Sequence, residues 1–255
     1  MDWDPNAYLA FAGERNRAAG ELLARIGLRS PGRIADLGCG TGASASLLAA
    51  RWPEAEIDGI DSSPDMLAKA RRSGAKARWI MADIGAWQPD RPYDLVYSNA
   101  ALHWVGDHER LLPKLLSFLS PGGVLAFQVP RNFTEPSHTI AQELAKAPRW
   151  AEKLAGARDW WTILEPEAYC AILEPLAPRI DIWETRYLHR LKGPDAVFQW
   201  VLGSGLRPYR DALREKEREA FLAQYRTLAD QAYPQRRDGI TLFPFKRLFC
   251  IAARP

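Results

Sequence analysis

One acid followed by three glycines at alternate positions marks residues 36–42 as a candidate ligand-binding turn. Gly38, Gly40 and Gly42 come directly before a helix-forming run rich in alanine and leucine. Glycine is required where a backbone turns sharply or lies against a ligand, because a Cβ atom would clash there. The helix that follows directs unpaired N–H groups at that ligand. The stretch therefore predicts a strand, a tight turn and a helix that hold a cofactor.

Two cofactor classes fit this turn. Gly38, Gly40 and Ala43 satisfy the dinucleotide pattern G-x-G-x-x-G/A. The pattern D-x-G-x-G-x-G also fits, and it resembles motif I of the class I S-adenosylmethionine (SAM) methyltransferases. Asp36 favours SAM, because a carboxylate attracts the cationic methionine amino group and repels a pyrophosphate. The candidate SAM-binding residues are thus Asp36, Gly38, Cys39 and Gly40. The spacing of the motifs that follow the turn disfavours an ordinary turn that binds no ligand.

Polar residues recur where later strands are expected to end. The predicted strands are 33–37, 56–61, 78–84, 93–99, 124–129, 180–191 and 245–253. Asp61 can accept hydrogen bonds from both ribose hydroxyls, a device that NAD and SAM enzymes share. Asp83 can accept the adenine amino hydrogens, and Asn99 ends the next strand. Ligands of parallel sheets bind at these carboxyl ends, so the three residues are expected to converge on one site.

Neighbouring residues complete the predicted cofactor site. Ser62 follows the ribose-binding acid, and Ile84 is expected beside the adenine ring. Met66 either lies on the adenine or fills the core. Arg15 shares one face of the first predicted helix with Tyr8 and is a further candidate.

The alternation of strands and helices predicts an α/β fold with a doubly wound, mostly parallel seven-stranded sheet of the Rossmann-like, class I methyltransferase type. The predicted helices are 6–26 (interrupted near Gly13 or Gly20), 111–119, 166–176, 194–202 and 215–233. Residues 1–255 are read as one domain. Its cofactor-binding core is 30–130, and its helical acceptor-binding or lid segments are 131–178 and 192–240.

Composition limits the function classes. The 255 residues are 47% hydrophobic and 25% charged with a net charge of +3, so bulk charge does not indicate a polyanion partner. The three cysteines lack metal-type spacing and indicate reduced thiols in a cytoplasmic protein. The acidic start Met1–Pro5 argues against a signal peptide or membrane span. We expect a small-molecule substrate, no metal, no nucleic acid and no membrane partner; the oligomeric state stays open.

Short stretches along nearly the whole chain match one family more closely. They are Asp2–Pro5, Tyr8–Leu9, Glu14–Arg15, Leu22–Arg25, Ala35–Gly40, Gly59–Pro64, Asp181–Trp183, Gly205–Pro208 and Arg247–Phe249. On these residues the chain resembles the bacterial trans-aconitate 2-methyltransferase family. The resemblance implies that SAM methylates a carboxylate of a small polycarboxylate, trans-aconitate, and leaves S-adenosylhomocysteine. Thr41 departs from the pattern, since a relative can carry proline there.

An acceptor with two or three negative charges requires cations, preferably the bidentate fork of arginine. Arg207 is the first choice, because glycines flank its predicted loop between two helices. The wider set of cations is Arg131, Arg186, His189, Arg190, Lys246 and Arg247. The substrate-binding residues that we expect are Arg207, Tyr209, Trp3, Tyr8, Arg131 and Arg186.

Methylation of a carboxylate requires no general base, because a carboxyl group with a pKa of about 4 is already ionised at neutral pH. His103 is expected to position the reactants as a wall or hydrogen-bond donor. Trp104 either covers the cofactor or packs.

Other functions share parts of this pattern. A methyltransferase acting on another carboxylate, such as a malonyl thioester, would use nearly the same core. A nucleic-acid N-methyltransferase would carry Asn/Asp-Pro-Pro-aromatic where this chain has Asn99–Leu102. An NAD-dependent oxidoreductase would leave Asp36 and Asp83 without a role. A non-catalytic SAM-binding protein would keep every cofactor residue.

Overall fold

The computed structural model describes residues 12–157 and 162–255, so Trp3 and Tyr8 lie outside the described residues. The strands are β1 Arg33–Leu37, β2 Glu56–Asp61, β3 Arg78–Met81, β4 Tyr93–Asn99, β5 Leu119–Pro130, β6 Arg179–Lys192 and β7 Ile240–Ala253. The helices are α1 Ala12–Arg25, α2 Ala43–Arg51, α3 Pro64–Ala70, α4 His108–Ser117, α5 Pro136–Lys146, α6 Pro166–Leu173, α7 Ala196–Leu202, α8 Arg207–Ala212 and α9 Glu215–Ala232. Short 3₁₀ turns span Leu102–Trp104 and Ala155–Ala157.

The described strands form one seven-stranded sheet in the order β3-β2-β1-β4-β5-β7-β6. Neighbouring pairs from β3 to β5 are parallel, and β7 runs antiparallel to β5. All five residues of β1 are buried, as expected for a strand covered on both faces. The predicted α/β class with a doubly wound, mostly parallel sheet is confirmed.

The chain divides into two compact units. The core unit is Arg15–Pro130, Thr162–Thr185 and Arg247–Pro255, and the helical unit includes 131–157 and Arg186–Lys246 among the described residues. The predicted cofactor core 30–130 falls in the core unit. The predicted acceptor segment 192–240 falls in the helical unit, whereas residues 162–178 of the other acceptor segment belong to the core unit. Their acceptor-binding role stays a prediction.

A buried carboxylate on β2 joins that strand to three others of the core unit. Asp58 accepts hydrogen bonds from Arg33 Nη2 at 2.9 Å, from Arg78 Nε and Nη2 at 2.7 and 2.9 Å, and from the Tyr93 hydroxyl at 2.5 Å. Burial alone would raise the pKa of Asp58, but the hydrogen bonds from Arg78 and Tyr93 and the two arginine charges outweigh it and lower the pKa. This network fixes the strand positions on which the site depends.

The helical unit has its own aromatic core. Its largest fully buried side chains include Trp150, Trp200, Tyr209, Tyr225, Phe221 and Phe243. Two buried tyrosine hydroxyls also bind the start of α5, since Tyr225 donates to the Ser137 carbonyl at 2.7 Å and Tyr233 accepts from the Ser137 N–H at 3.0 Å. In the part of the chain that the structure describes, no helix is long and apolar enough to cross a membrane.

Several predicted boundaries were wrong for local reasons. Helix α1 continues through Gly20 without an interruption there, whereas the segment before Ala12, which would test an interruption near Gly13, lies outside the described residues. Strand β3 ends at Met81 rather than at residue 84, because the Asp83 carbonyl accepts from the N–H groups of Ala86 and Trp87 and closes a turn. Helix α4 begins earlier than predicted, where the Asp107 side chain accepts from the Arg110 N–H at 3.2 Å.

The last strands are also longer than predicted. Strand β5 begins at Leu119 because a register shift opposite Tyr93–Leu95 accommodates the Pro121–Gly123 segment. Strand β7 begins at Ile240 and continues through Pro244. Arg207 begins a short helix, whereas a loop was predicted there.

Candidate cofactor and acceptor site

The glycine turn after β1 combines tight packing with open space. Gly38 has φ +71°, and a Cβ there would lie 2.1 Å from the Ala101 Cβ. Gly40 has φ +55°, and a Cβ there would meet nothing within 4 Å. Gly38 is therefore needed for contact with the loop after β4. Gly40 presents bare backbone to open space, as a ligand-facing turn requires.

Asp61 holds that turn against the end of β2. Its Oδ2 accepts from the Gly40 N–H at 2.9 Å, and its Oδ1 accepts from the Ser63 N–H at 2.8 Å. A carboxylate oxygen can accept more than one hydrogen bond, so both oxygens retain acceptor capacity. The arrangement fixes the carboxylate orientation and suits the two adjacent hydroxyls of a ribose.

Asp36 is fully buried behind the turn. Its Oδ2 accepts from the Ser44 hydroxyl at 2.7 Å, and its Oδ1 has no hydrogen-bond partner among the described residues. Burial raises the pKa of Asp36 to about 7, the Ser44 hydrogen bond partly offsets this, and the nearby Asp61 charge adds to it. A buried acceptor oxygen without a donor suits an ammonium ligand, because such a cation would both satisfy it and lower its pKa. The pair Asp36 and Gly40 therefore fits SAM.

Asp83 and Ile84 lie just beyond β3. Asp83 is exposed, and its Oδ1 accepts from the Ala86 N–H at 3.2 Å. Ile84 is 9% exposed, and its Cδ1 would lie 3.7 Å from a Cβ placed on Gly38. These contacts bring Ile84 beside the glycine turn. Adenine binding by both residues stays a prediction.

The remaining cofactor candidates lie near the same turn or on α1. Cys39 is buried within the turn, and burial raises the pKa of its thiol, as do the Asp36 and Asp61 charges. Ser62 is exposed after β2, and Met66 is half-buried in the first turn of α3. Arg15 lies in α1. Their contacts with a cofactor stay predictions.

Asn99 ends β4 in a polar chain that continues into the core. Its Oδ1 accepts from Gln128 Nε2 at 2.5 Å, and Gln128 Oε1 accepts from Arg247 Nη1 at 3.0 Å. Gln128 is fully buried and Arg247 is 4% exposed. Ala100, with φ +53°, then turns the chain, and its N–H donates to the Gln128 carbonyl at 3.0 Å.

His103 and Trp104 belong to the 3₁₀ turn that follows. The His103 side chain is buried, Trp104 is 43% exposed, and their ring centroids lie 4.9 Å apart. Below them, His108 Nε2 lies 2.9 Å from the Leu102 carbonyl, and His108 Nδ1 lies 2.7 Å from the Tyr169 hydroxyl. Burial lowers the pKa of His108, so the neutral imidazole donates from Nε2 and accepts at Nδ1. His108 thereby anchors the turn that presents His103.

Arg207 begins α8 in the helical unit. Its Nε lies 3.5 Å from Asp211 Oδ2, and the side chain is 45% exposed. Asp211 also pairs with Arg210 at 3.1 Å, so one carboxylate serves two arginines. Gly205 has a packing role in addition to any role near a ligand, since a Cβ there would lie 2.9 Å from His138 Nε2. Burial lowers the pKa of His138 to about 4, which keeps this ring neutral.

The other described acceptor candidates differ in accessibility. Tyr209 is 2% exposed and stacks on Phe221 with centroids 5.6 Å apart, so it packs in the aromatic core. The Arg131 guanidinium lies 5.8 Å from the centroid of the Phe133 ring. Arg186 is exposed on β6. Acceptor binding by these residues stays a prediction.

Three buried polar residues were missed in the sequence. Ser44 is the second residue of α2 and donates to Asp36, Gln128 interrupts the apolar run of β5, and His108 opens α4. Gln128 had a readable signal, because a lone amide in an otherwise apolar strand requires a buried partner. The other two require knowledge of which strand ends and turns meet.

Solved structures with low sequence identity share the fold. The YcgJ protein from Bacillus subtilis is 13% identical with a TM-score of 0.61, over 94% of this chain and 98% of that one. Haemonchus contortus phosphoethanolamine N-methyltransferase 2, solved with S-adenosylhomocysteine, is 16% identical with a TM-score of 0.57. That match covers 94% of this chain and 52% of the other. These likenesses support the methyltransferase fold.

Family and curated relatives are more specific. A methyltransferase domain model matches residues 11–174. The trans-aconitate 2-methyltransferase of Azoarcus sp. (strain BH72) is 48% identical over 252 residues, covering 99% of each chain. That of Escherichia coli O1:K1 / APEC is 45% identical over 257 residues, covering 99% of this chain and 98% of the relative. The chain therefore belongs to the trans-aconitate 2-methyltransferase family of SAM-dependent methyltransferases.

Proposed function

We propose that this protein is an O-methyltransferase that transfers the SAM methyl group to a carboxylate of trans-aconitate. The products are a monomethyl ester and S-adenosylhomocysteine. The observation that carries the proposal is the 48% identity, over 99% of both chains, to a trans-aconitate 2-methyltransferase. The preorganised Asp61–Gly40 contact supports the cofactor half of the reaction.

The reaction is an in-line displacement. SAM supplies a methyl group bonded to a positively charged sulfur. An acceptor carboxylate oxygen forms the new O–C bond, the C–S bond breaks, and its electron pair returns to sulfur. No proton moves, because the acceptor carboxyl with a pKa of about 4 is already ionised. Rate enhancement then depends on holding the oxygen in line with the methyl group.

The core unit supplies the cofactor contacts in this proposal. Asp61 accepts from the ribose hydroxyls, and Asp36 Oδ1 accepts from the methionine ammonium. Asp83 and Ile84 receive the adenine. The further cofactor residues that we propose are Gly38, Cys39, Gly40, Ser62, Met66 and Arg15. Asn99, at the carboxyl end of β4, lies between these residues and the acceptor. His103 and Trp104 form a wall that positions the reactants.

The acceptor needs cationic partners for carboxylates that do not react. We assign this role first to Arg207, whose half-exposed guanidinium can exchange its Asp211 partner for a substrate carboxylate. Arg131 and Arg186 follow, with Tyr209 and the two aromatic residues Trp3 and Tyr8, which lie outside the described residues. Bidentate pairing to arginine provides both charge and orientation.

A substrate panel tests the proposal directly. The protein is incubated with SAM and trans-aconitate, citrate, succinate, a malonyl thioester or no acceptor, and S-adenosylhomocysteine release is followed. We expect turnover with trans-aconitate and a methyl ester in the product. Turnover only with the malonyl thioester would support the alternative carboxylate acceptor, and turnover with none would contradict both.

The proposal extends to location and partners. The described cysteines Cys39, Cys170 and Cys250 are free thiols, which fits a reducing compartment such as the cytoplasm. A small anion as the acceptor needs no nucleic-acid surface. Fractionation of the native host would test the location.

A further inference from the structure

The polar chain behind Asn99 has a fixed direction. Arg247 carries only donors, so its Nη1 must meet the oxygen of the Gln128 amide. Gln128 therefore points its NH₂ group at Asn99, whose Oδ1 accepts at 2.5 Å. In the opposite orientation the Gln128 NH₂ group would face the Arg247 guanidinium, and N–H donors would point at N–H donors. The order of these buried donors and acceptors thus leaves the NH₂ group of Asn99, rather than its side-chain oxygen, for a ligand.

The fold makes this direction rigid. Asn99 pairs with Gln128 in the β4–β5 register, and Gln128 pairs with Phe249 in the β5–β7 register. Gln128 is completely buried and Arg247 nearly so, which leaves no water-exposed alternative for either group. In a buried polar chain each hydrogen bond polarises the next, so the cation strengthens the final donor.

We propose that Arg247 and Gln128 are positioning residues that hold Asn99 as a hydrogen-bond donor toward an anionic acceptor carboxylate. This inference rests on the proposed function and deepens it. Asn99 lies at the carboxyl end of β4 and is half-buried, and its Nδ2 carries two N–H bonds directed away from Gln128. A donor there stabilises a carboxylate oxygen. An amine nucleophile would instead need an acceptor at that position, so the polar chain selects the chemical class of the acceptor.

Substitution of Gln128 by glutamate can reverse the direction without a change of shape. The new carboxylate would pair with Arg247 and present its second oxygen to residue 99. Asn99 would then donate inward and turn its Oδ1 outward, where it repels a carboxylate. Asn99→Ala removes the outward group altogether, and Asn99→Asp replaces the donor by an acceptor of the same shape.

Binding of trans-aconitate to the protein–S-adenosylhomocysteine complex provides the readout, because that complex has no methyl group to transfer. We expect Gln128→Glu to weaken binding about 10-fold or more when Asn99 is present, the scale of a hydrogen bond to a charged group. In the Asn99→Ala background the same change should weaken binding less than about 3-fold, because only its through-space charge then acts. We expect Asn99→Asp to weaken binding at least as strongly as Asn99→Ala. Melting temperatures and S-adenosylhomocysteine affinity, measured on every variant, identify those that retain the fold and the cofactor site.

The outcomes separate this inference from the proposed function. Absence of trans-aconitate binding to the native complex would refute the proposed function itself. A second outcome is that trans-aconitate binds the native complex, but Gln128→Glu weakens this binding equally with Asn99 present and in the Asn99→Ala background. The proposed role of the polar chain would then be overturned, because the added negative charge alone would explain the effect. If Gln128→Glu does not fold, Asn99→Asp alone decides, and unchanged acceptor affinity in that variant would overturn the donor role.

Discussion

The Gly40 N–H donates to Asp61 Oδ2 at 2.9 Å, which binds the glycine turn after β1 to the end of β2. The same carboxylate accepts from the Ser63 N–H, so its plane is set before any ligand arrives. Preorganisation of this kind lowers the cost of binding, because the side chain loses little freedom when the cofactor enters.

Asp61→Ala is expected to weaken SAM binding by about 10- to 100-fold, since it removes charge-assisted hydrogen bonds worth about 1.5–3 kcal/mol. Calorimetry on the folded variant measures this directly. The exposed acid Asp65, four residues later in α3, provides a matched control, and Asp65→Ala should leave the affinity unchanged. Equal affinities for native protein and Asp61→Ala would remove Asp61 from the ribose site.

SAM affinity is expected to increase as the pH rises from about 6 to 7. The free Asp36 carboxyl has a raised pKa of about 7 because it is buried, so it is mostly protonated at the lower pH. The ionised form binds the methionine ammonium, and the ionised fraction rises about 5-fold over that interval. Below about pH 7 the amino group itself stays largely cationic, which isolates the Asp36 titration.

Asp36→Asn is the corresponding control. It keeps the shape of the side chain but does not ionise, so its SAM affinity should be weaker and independent of pH between about 6 and 7. A native pH dependence that persists in Asp36→Asn would show that another group titrates.

The turnover rate with both substrates saturating is expected to stay constant from about pH 7 to 9, where the acceptor is fully ionised. His103→Ala should slow turnover modestly, through loss of a wall beside the reactants, and should leave the profile flat. A rate that changes with pH across this range in the native protein but not in His103→Ala would contradict this and make His103 a general base.

Asp58→Ala is expected to destabilise the protein by about 3 kcal/mol, because it removes the buried carboxylate that binds Arg33, Arg78 and the Tyr93 hydroxyl, while the exposed Asp90 still pairs with Arg33. Denaturant unfolding measures the loss. Glu143→Ala, which removes an exposed ion pair with Lys146, should cost less than about 1 kcal/mol. The pKa of Asp58 is lowered in the fold, so its contribution is present above the unfolded pKa of about 4 and is lost as the pH falls below that value. A native-like stability for Asp58→Ala would show that the network is dispensable.

The sheet and the glycine turn were predictable because their signals are local. Strands 33–37 and 56–61 were predicted with the bounds that the structure has, and Asp36, Gly38 and Asp61 lie at their carboxyl ends. The orientation of the Asn99 amide was not predictable, because it depends on Gln128 and, through Gln128, on Arg247. Arg247 binds Gln128 across the pairing of β5 with β7, two strands that are far apart in the sequence. Strand and helix ends failed for a related reason: the Asp83 turn depends on hydrogen bonds that compete with the ladder.

Arg207 is expected to be the main anion-binding residue for the acceptor. Removal of an arginine that binds a non-reacting carboxylate should leave SAM affinity intact and lower kcat/KM for trans-aconitate by about 10²-fold, through lost charge and lost alignment. Arg207→Lys should recover only part of the rate, because an ammonium lacks the planar fork. Arg210→Ala is the matched control, since Arg210 shares the Asp211 carboxylate and tests whether loss of that ion pair alone matters.

The preference for trans-aconitate over a monocarboxylate decides this assignment. Native protein and Arg207→Ala are compared on trans-aconitate and on a monocarboxylate analogue that lacks the non-reacting carboxylates. Because Arg207 contacts only those carboxylates, its removal should erase most of the preference for the tricarboxylate and hardly affect the analogue. If both proteins prefer trans-aconitate by the same factor, Arg207 is a surface residue held by Asp211, and Arg131→Ala and Arg186→Ala become the variants to test.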